Sequence, residues 1–234
     1  MAALTAIWNK EFKDYFLTPI AYMVIAVFLV VVGWFFFSTF FLKNQATLRG
    51  FFQLMPVVFA FVVPALTMRL ISEEISLGSY ELMGTLPVRH SQIVLGKFLA
   101  CLCFIAAMLL PTLIYGVSVD MVGNLDWGPV LGGYIGALLL GGSYAAIGML
   151  ASSLTRNQII AFITGAAVCF ALAYLKQMLF FMPEAIQGIV DYLAVGSHFG
   201  NAAQGVLDIR DIIYFLSIVF LGLYATKLVL ESKE

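Results

Sequence analysis

Charged side chains are scarce in this chain, and their scarcity excludes an ordinary soluble domain. Only 11% of the 234 residues are charged and 62% are hydrophobic, whereas about 25% of the residues of a soluble domain carry charge. The mean hydropathy is +1.02, which is typical of a protein that spans a membrane. The formal net charge is −1, so no basic excess points to nucleic acid as a partner.

Residue sets that bind metals or catalyse reactions are absent as well. Cys101, Cys103 and Cys169 lie inside apolar runs without a second cysteine pair or a histidine cluster. We expect them to pack as small hydrophobic residues, and no metal site is predicted. Neither Gly-x-Ser-x-Gly nor His-Glu-x-x-His occurs, so no catalytic residues are predicted either.

A nucleotide-binding P-loop is also missing. The only Gly-Lys pair is Gly96-Lys97, where Ser91 replaces the first glycine of the motif and Phe98 replaces its hydroxyl residue. Such a loop cradles phosphates with its backbone amides, so this chain is not expected to bind or hydrolyse ATP by that device. We predict that it is not an enzyme and binds no cofactor of its own.

What the chain has in abundance is apolar runs that are long enough to cross a bilayer. A crossing helix needs about 20 residues, because each residue adds about 1.5 Å. Six runs qualify, near residues 20–42, 51–71, 93–119, 130–154, 159–181 and 212–230. We therefore predict an all-α membrane protein with a six-helix transmembrane domain over residues 18–234.

Residues 1–17 are predicted to form an amphipathic helix at the membrane interface. Its apolar face carries Leu4, Trp8, Phe12, Tyr15 and Phe16, and its other face mostly Asn9, Lys10, Lys13 and Asp14. A cleaved signal peptide is the alternative, but the apolar run that follows is too long for a signal sequence.

The distribution of lysine and arginine predicts the orientation. With a cytoplasmic amino terminus, eight of these residues lie inside: Lys10, Lys13, Arg69, Arg89, Lys97, Arg156, Lys227 and Lys233. Four lie outside: Lys43, Arg49, Lys176 and Arg210. By the positive-inside rule, both termini are predicted to be cytoplasmic.

The polar stretch between the second and third spans, residues 72–90, is predicted to contain a short docking helix. Ser72 is placed to cap a helix whose first turn carries Glu73 and Glu74, where carboxylates favour the positive end of the helix dipole. Gly78 then interrupts the helical pattern. Such a charged segment cannot face lipid, so we expect it to dock on another protein in the cytoplasm.

The fourth span is rich in glycine, which lets another helix approach closely. Its glycines are Gly132, Gly133, Gly136, Gly141, Gly142 and Gly148. Packing within the bundle is the favoured interpretation, and a dimer seam or a helix that lines a moving pathway is the alternative.

The outer segment, residues 182–211, is predicted to hold two short re-entrant or interfacial helices. We expect the break between Gly196 and Gly200, with the second helix over 201–207. His198 stands alone there, so a hydrogen-bonded structural role is favoured over metal binding. Lys176 either contacts an anionic substrate or, as we favour, reaches the lipid headgroups from the end of the fifth span.

The loop after the second span resembles that of the ABC-2 class of ATP-binding-cassette transporter permeases. It follows the pattern Glu-x-x-x-Gly-x-x-Glu-Leu-x-x-x-x-Pro, and the matching residues are Glu74, Gly78, Glu81, Leu82, Pro87 and, further on, Lys97. The outer segment from Ser197 to Phe215 is similar to the subgroup that contains the gliding-motility permease and its copper-enzyme-maturation relatives.

This resemblance implies an export permease of the bacterial inner membrane. It further implies a permease dimer, of identical or sister subunits, joined to separate ATPase subunits that bind ATP and Mg²⁺. The residues that would couple to the ATPase are Glu73, Glu74, Gly78, Tyr80, Glu81, Leu82 and Pro87. Candidates for lining the pathway are Phe36, Phe40, Phe59, Met68 and Lys176. The alternative function is a membrane anchor or scaffold subunit of a larger envelope machine, without transport of its own.

Overall fold

The chain folds into a bundle of helices in the computed structural model, which describes residues 2–43, 45–78, 89–179, 183–206 and 208–233. The fold is 86% helical, without a strand in those ranges, so the all-α prediction is confirmed. The helices are α1 Ala2–Leu17, α2 Pro19–Lys43, α3 Arg49–Thr67, α4 Ser72–Ser76, α5 His90–Leu109, α6 Leu113–Val122, α7 Trp127–Leu154, α8 Gln158–Met178, α9 Glu184–Leu193, α10 Val195–Ala202 and α11 Ile209–Glu231. A 3₁₀ turn, Leu110–Thr112, joins α5 to α6.

Among the described residues, six helical stretches are long and apolar enough to cross a membrane, as predicted. They are Ala21–Phe40, Arg49–Ser76, His90–Val122, Trp127–Leu154, Gln158–Met178 and Ile209–Glu231. An even number of crossings puts both termini at one end of the bundle, which we call the terminal end; the other is the opposite end. In agreement, Lys233 Nζ donates to the Ser153 carbonyl near the end of α7, at 2.6 Å.

The helix α7 lies at the centre of the bundle and packs against α3, α5, α8, α10 and α11. Its glycines make this possible, because a Cβ atom at Gly133 would overlap the Phe52 ring and one at Gly148 would overlap Thr67 Oγ1. These glycines therefore pack against other helices of the same chain. The interpretation favoured from the sequence is confirmed at these positions.

The outer segment forms two short helices, but the break between them does not lie where it was predicted. The helix α9 ends at Leu193 and α10 begins at Val195, so the chain turns at the buried, extended residue Ala194. Gly196 and Gly200 lie inside α10. The predictions of a break at 196–200 and of a second helix over 201–207 were therefore wrong.

Burial explains why the two glycines do not break α10. The buried residues of this helix are Val195, His198, Phe199 and Ala202, which recur at the spacing of one helical face. A glycine inside a helix costs about 1 kcal/mol relative to alanine. Burying four side chains against the bundle outweighs that cost.

His198 joins α10 to α11 through a buried hydrogen-bonded pair. Its Nδ1 lies 2.6 Å from Asp211 Oδ1, and its Nε2 lies 2.9 Å from the Tyr192 carbonyl oxygen. Both ring nitrogens of His198 thus face oxygen atoms of neighbouring groups. Asn201 donates to the second Asp211 oxygen at 3.1 Å, and the Tyr214 ring stacks on the imidazole with centroids 4.0 Å apart. This geometry is the structural role that the sequence favoured.

Replacing His198 with phenylalanine should keep the stacked ring but remove both hydrogen bonds. We expect the free energy of unfolding to fall by about 1.5–3 kcal/mol, the usual contribution of a hydrogen bond to a charged group. Thermal unfolding of the purified chain measures the loss. The chain's other histidine, His90, begins α5 at the terminal end, and His90→Asn is the control, with a smaller expected change. Equal stability of His198→Phe and the unchanged chain would contradict this role.

Candidate functional site at the base of the polar loop

Lys97, in the first half of α5, is a buried cation with only 2% of its surface exposed. Its ammonium donates to Glu74 Oε1 at 2.7 Å and to Glu11 Oε1 at 2.9 Å. Glu74 belongs to α4, at the start of the polar stretch 72–90, and Glu11 belongs to α1. Burying an ammonium costs several kcal/mol unless it is paired, and the two carboxylates provide that pairing. We call Lys97, Glu74 and Glu11 the ion junction.

Close packing of α1 on α5 brings Glu11 to this place. Gly96 leaves room for Ile7, whose Cγ2 would lie 2.9 Å from a Cβ added at the glycine. The Tyr15 ring stacks on Phe104 with centroids 4.9 Å apart. Burial raises the pKa of the Tyr15 phenol, so the phenol stays protonated. Its O–H donates a hydrogen bond to a backbone carbonyl oxygen of α3 at 3.3 Å. Glu11 lies on the same helical face as these contacts and so meets Lys97.

The amino end of α4 is capped by α7 and not by Ser72, so the sequence prediction was wrong. Ser152 Oγ accepts the backbone N–H groups of Ile71 at 3.2 Å and Ser72 at 3.0 Å, and donates to the Met68 carbonyl at 2.9 Å. Ser72 is itself the first helical residue, and its hydroxyl also donates to the Met68 carbonyl. The free N–H groups at a helix start need acceptors, and here a distant helix supplies one.

Gly78 follows α4 in the left-handed conformation, with φ of 71°, which glycine adopts without strain. This agrees with the interruption predicted there. Glu73 pairs with Arg69 at 3.0 Å, but the two side chains are 36% and 38% exposed, so the pair contributes little to stability. The remaining predicted coupling residues, Tyr80, Glu81, Leu82 and Pro87, lie outside the described residues and remain predictions.

The helices on either side of residues 79–88 are thus joined to each other. Glu74 lies in α4 before those residues and Lys97 lies in α5 after them, and the ion junction joins the two directly. Ser152 holds α4 on α7. The helix α4 is therefore joined to α1, α5 and α7 through buried polar contacts.

Residues 36–226 match the family model described as "ABC-2 family transporter protein". The match covers most of the chain, including both sides of the polar loop. The chain belongs to the ABC-2 transporter family. Together with the six apolar helices, this membership makes it a multi-pass membrane permease. A comparison with curated proteins gave no match.

For this ABC-2 permease, the sequence analysis named Glu74 as a coupling residue and matched Lys97 to the family's loop pattern, but it missed Glu11 and Ser152. Glu11 lies before the matched region, yet it had a readable signal: a lone carboxylate on the apolar face of α1, between Trp8 and Tyr15. Ser152 gave no such signal, because a serine near the end of a span needs no partner beyond its own helix.

The residues proposed to line the pathway of the permease lie in different environments. Phe36 and Phe59 are 2% and 0% exposed and belong to the packed core of the chain. Phe40 and Met68 are half-buried. Lys176 is exposed at the opposite end, with its aliphatic stem beside Gly196. A pathway role for all five stays a prediction, and for the two buried rings it requires the core to open.

Proposed function

We propose that this ABC-2 permease is the membrane subunit of an ATP-driven exporter in the bacterial inner membrane. Both termini are cytoplasmic, and residues 72–90 dock on separate ATPase subunits that bind ATP and Mg²⁺. The ion junction is the observation that carries this proposal. A loop that merely connects two spans does not need both of its sides held by one buried cation.

The buried charges favour a geometric role over a purely stabilising one. A protein in which well-packed apolar residues replace a buried ion pair is often as stable as the original protein, or more stable by about 1–4 kcal/mol. An ion junction therefore contributes little net stability, but it fixes the positions of α1, α4 and α5 relative to one another. Such fixed positions are what a rigid-body movement needs in order to pass from a docked ATPase to the membrane helices.

A displacement of α4 is passed to the membrane helices by two routes. Through Lys97, a displacement of α4 moves α5 together with α1. Through Ser152, it moves the central helix α7, which packs against four of the other spans. One docking event thus acts on the whole bundle.

We place the translocation path between two permease subunits, which are identical or sister chains. The central span of α7 is 72% buried, whereas the first and sixth spans are each 22% buried and the fifth is 28% buried. Of these exposed faces, we assign those of the first and fifth spans to the dimer. Trp34 and Phe35 on α2 and Ile163 on α8 are among the exposed apolar residues. A second subunit would cover such faces, and the apolar route between them suits an amphiphile, a lipid-linked glycan or an extruded chain.

Cysteines at Trp34 and Ile163 should form disulfide crosslinks between subunits in a variant that lacks the three native cysteines. These two side chains are 75% and 58% exposed and lie on the faces assigned to the dimer. Phe220 on α11 is 68% exposed, and Phe220→Cys is the control that should remain uncrosslinked. Dimers formed only through position 220 would contradict this arrangement.

We further propose that the outer segment places this permease in the gliding-motility and copper-enzyme-maturation subgroup, as its resemblance implies, and that the transport is export. A membrane anchor or scaffold for an envelope machine is the second candidate function. The rate of ATP hydrolysis distinguishes an exporting permease from a passive anchor, and it can be measured without knowing the substrate. A transporting permease changes the rate of ATP hydrolysis by its ATPase, and a passive anchor does not.

The double variant Tyr80→Ala, Glu81→Ala tests the proposed function. We expect it to insert into the membrane normally but to leave ATP hydrolysis at the rate of the isolated ATPase subunits, because the docking contact is lost. The control is Gln45→Ala, Thr47→Ala, two exposed residues of the loop at the opposite end, which should hydrolyse ATP like the unchanged complex. Unchanged hydrolysis in the first double variant would rule out this loop as the coupling element.

A further inference from the structure

A cavity of about 360 Å³ opens at the terminal end, beside the ion junction. Its walls come from α1, α2, α3, α4 and, at Lys97, α5. Its volume falls within the range of about 300–1,000 Å³ that is usual for small-molecule sites. The exposed side chains of Lys10, Asp14 and Leu77 stand at its edge. Among the described residues, its edge is therefore open to a ligand.

The cavity is divided into an apolar and a charged part. Its apolar lining includes Ala21 and Val24 at the start of the first span, and Ala65 and Leu66 at the end of α3. Val24 lies about one helical turn deeper than Ala21, at the level where lipid acyl chains begin. The charged lining belongs to α1, to α4 and the turn before it and, through Lys97, to α5, and we place it at the level of the headgroups. A ligand that fills both parts must be an amphiphile.

The charges of the lining favour a headgroup with both signs. Three cations line the cavity, Lys10, Arg69 and Lys97, and four carboxylates, Glu11, Asp14, Glu73 and Glu74. Lys97 is paired with Glu11 and Glu74, and Arg69 forms a half-exposed pair with Glu73. Because the carboxylates exceed the cations by one, a purely anionic headgroup meets a surplus of like charge. A headgroup with an ammonium and a phosphate finds partners of opposite sign for both groups.

We propose that this cavity binds an aminophospholipid of the adjoining leaflet. The ammonium lies at Asp14 and Glu73, the phosphate at Lys10 and Arg69, and the acyl chains follow the start of α2 and the end of α3. The lipid is a bound ligand of the permease and not its exported cargo. It braces α1 against α3 and α4 beside the ion junction, and it binds whether or not an ATPase is present.

A photoactivatable phosphatidylethanolamine tests this proposal on the purified full-length chain in lipid nanodiscs. We expect the label on peptides that contain residues 10–24 or 65–77, and weaker labelling there by the phosphatidylglycerol analogue. Lys10→Gln or Asp14→Asn should each reduce the specific labelling about tenfold, since each removes one charged contact. Lys13→Gln is the matched control, because Lys13 is exposed on the same helix but does not line the cavity.

Three outcomes would overturn the proposal. They are equal or stronger labelling by the phosphatidylglycerol analogue, labelling spread evenly over lipid-facing helices, and labelling that neither Lys10→Gln nor Asp14→Asn reduces. Because the ATPase is absent from the measurement, none of these outcomes bears on the proposed exporter function. Likewise, the rate of ATP hydrolysis in the Tyr80→Ala, Glu81→Ala variant does not test the proposed lipid site.

Discussion

Replacing Lys97 with methionine is expected to lower the free energy of unfolding by about 3–5 kcal/mol. Methionine fills much of the space of the lysine stem, but it leaves Glu11 and Glu74 without their shared cation. Their side chains are only 13% and 16% exposed, so water compensates little for the lost ammonium. Denaturant titration of the purified permease measures this loss.

A triple variant separates the role of Lys97 in stability from its role in coupling. Glu11→Gln, Lys97→Met and Glu74→Gln together remove every charge of the ion junction, so most of the lost stability should return. The ATPase rate should still not respond to the permease, because α1, α4 and α5 are no longer held in one geometry. Lys13→Met, an exposed change on α1, is the control and should leave both properties nearly unchanged. Full coupling in the triple variant would show that the ion junction transmits nothing.

Replacing Gly148 with alanine is expected to destabilise the bundle by about 1–3 kcal/mol, although alanine is the better helix former. The added methyl group would overlap Thr67 Oγ1. Thr67 is fully buried, and its hydroxyl donates to the Val63 carbonyl at 3.1 Å, so it cannot move aside without losing this contact. The shift in the midpoint of unfolding reports the effect.

Gly142 provides the matched control on the same helix. A Cβ atom there would lie 3.4 Å from Leu102 Cδ1, so Gly142→Ala should be neutral or stabilising by up to about 1 kcal/mol. Combining Gly148→Ala with Thr67→Ala should recover part of the loss, because the overlapping oxygen is then gone. Equal effects at the two glycines would contradict the packing described for α7.

The spans of the fold were predictable because their signal is local. Length and hydropathy within one run decide whether a helix crosses a membrane, and the six runs needed no knowledge of their neighbours. The break in the outer segment was not predictable in this way. Gly196 and Gly200 weaken a helix locally, whereas burial of His198 and Phe199 against distant helices keeps α10 intact.

The candidate site was predictable only in part, for the same physical reason. Glu74 could be assigned from its position in the loop pattern, and Lys97 follows that pattern at some distance. Their partner Glu11 is separated from Lys97 by 86 residues, so its role depends on how α1 docks on α5. Ser152 replaces the expected cap at Ser72 through contacts between α7 and α4, which local spacing does not encode.

Crosslinking from a single residue of the polar loop tests the central claim most directly. A photoreactive amino acid at position 81 should capture the ATPase subunit in cells, because residues 72–90 are the proposed docking segment. The same amino acid at Asn124, an exposed loop residue at the opposite end, should capture no ATPase. Capture from position 124, or its absence from position 81 in an assembled complex, would contradict the claim that this loop couples ATP hydrolysis to the membrane helices.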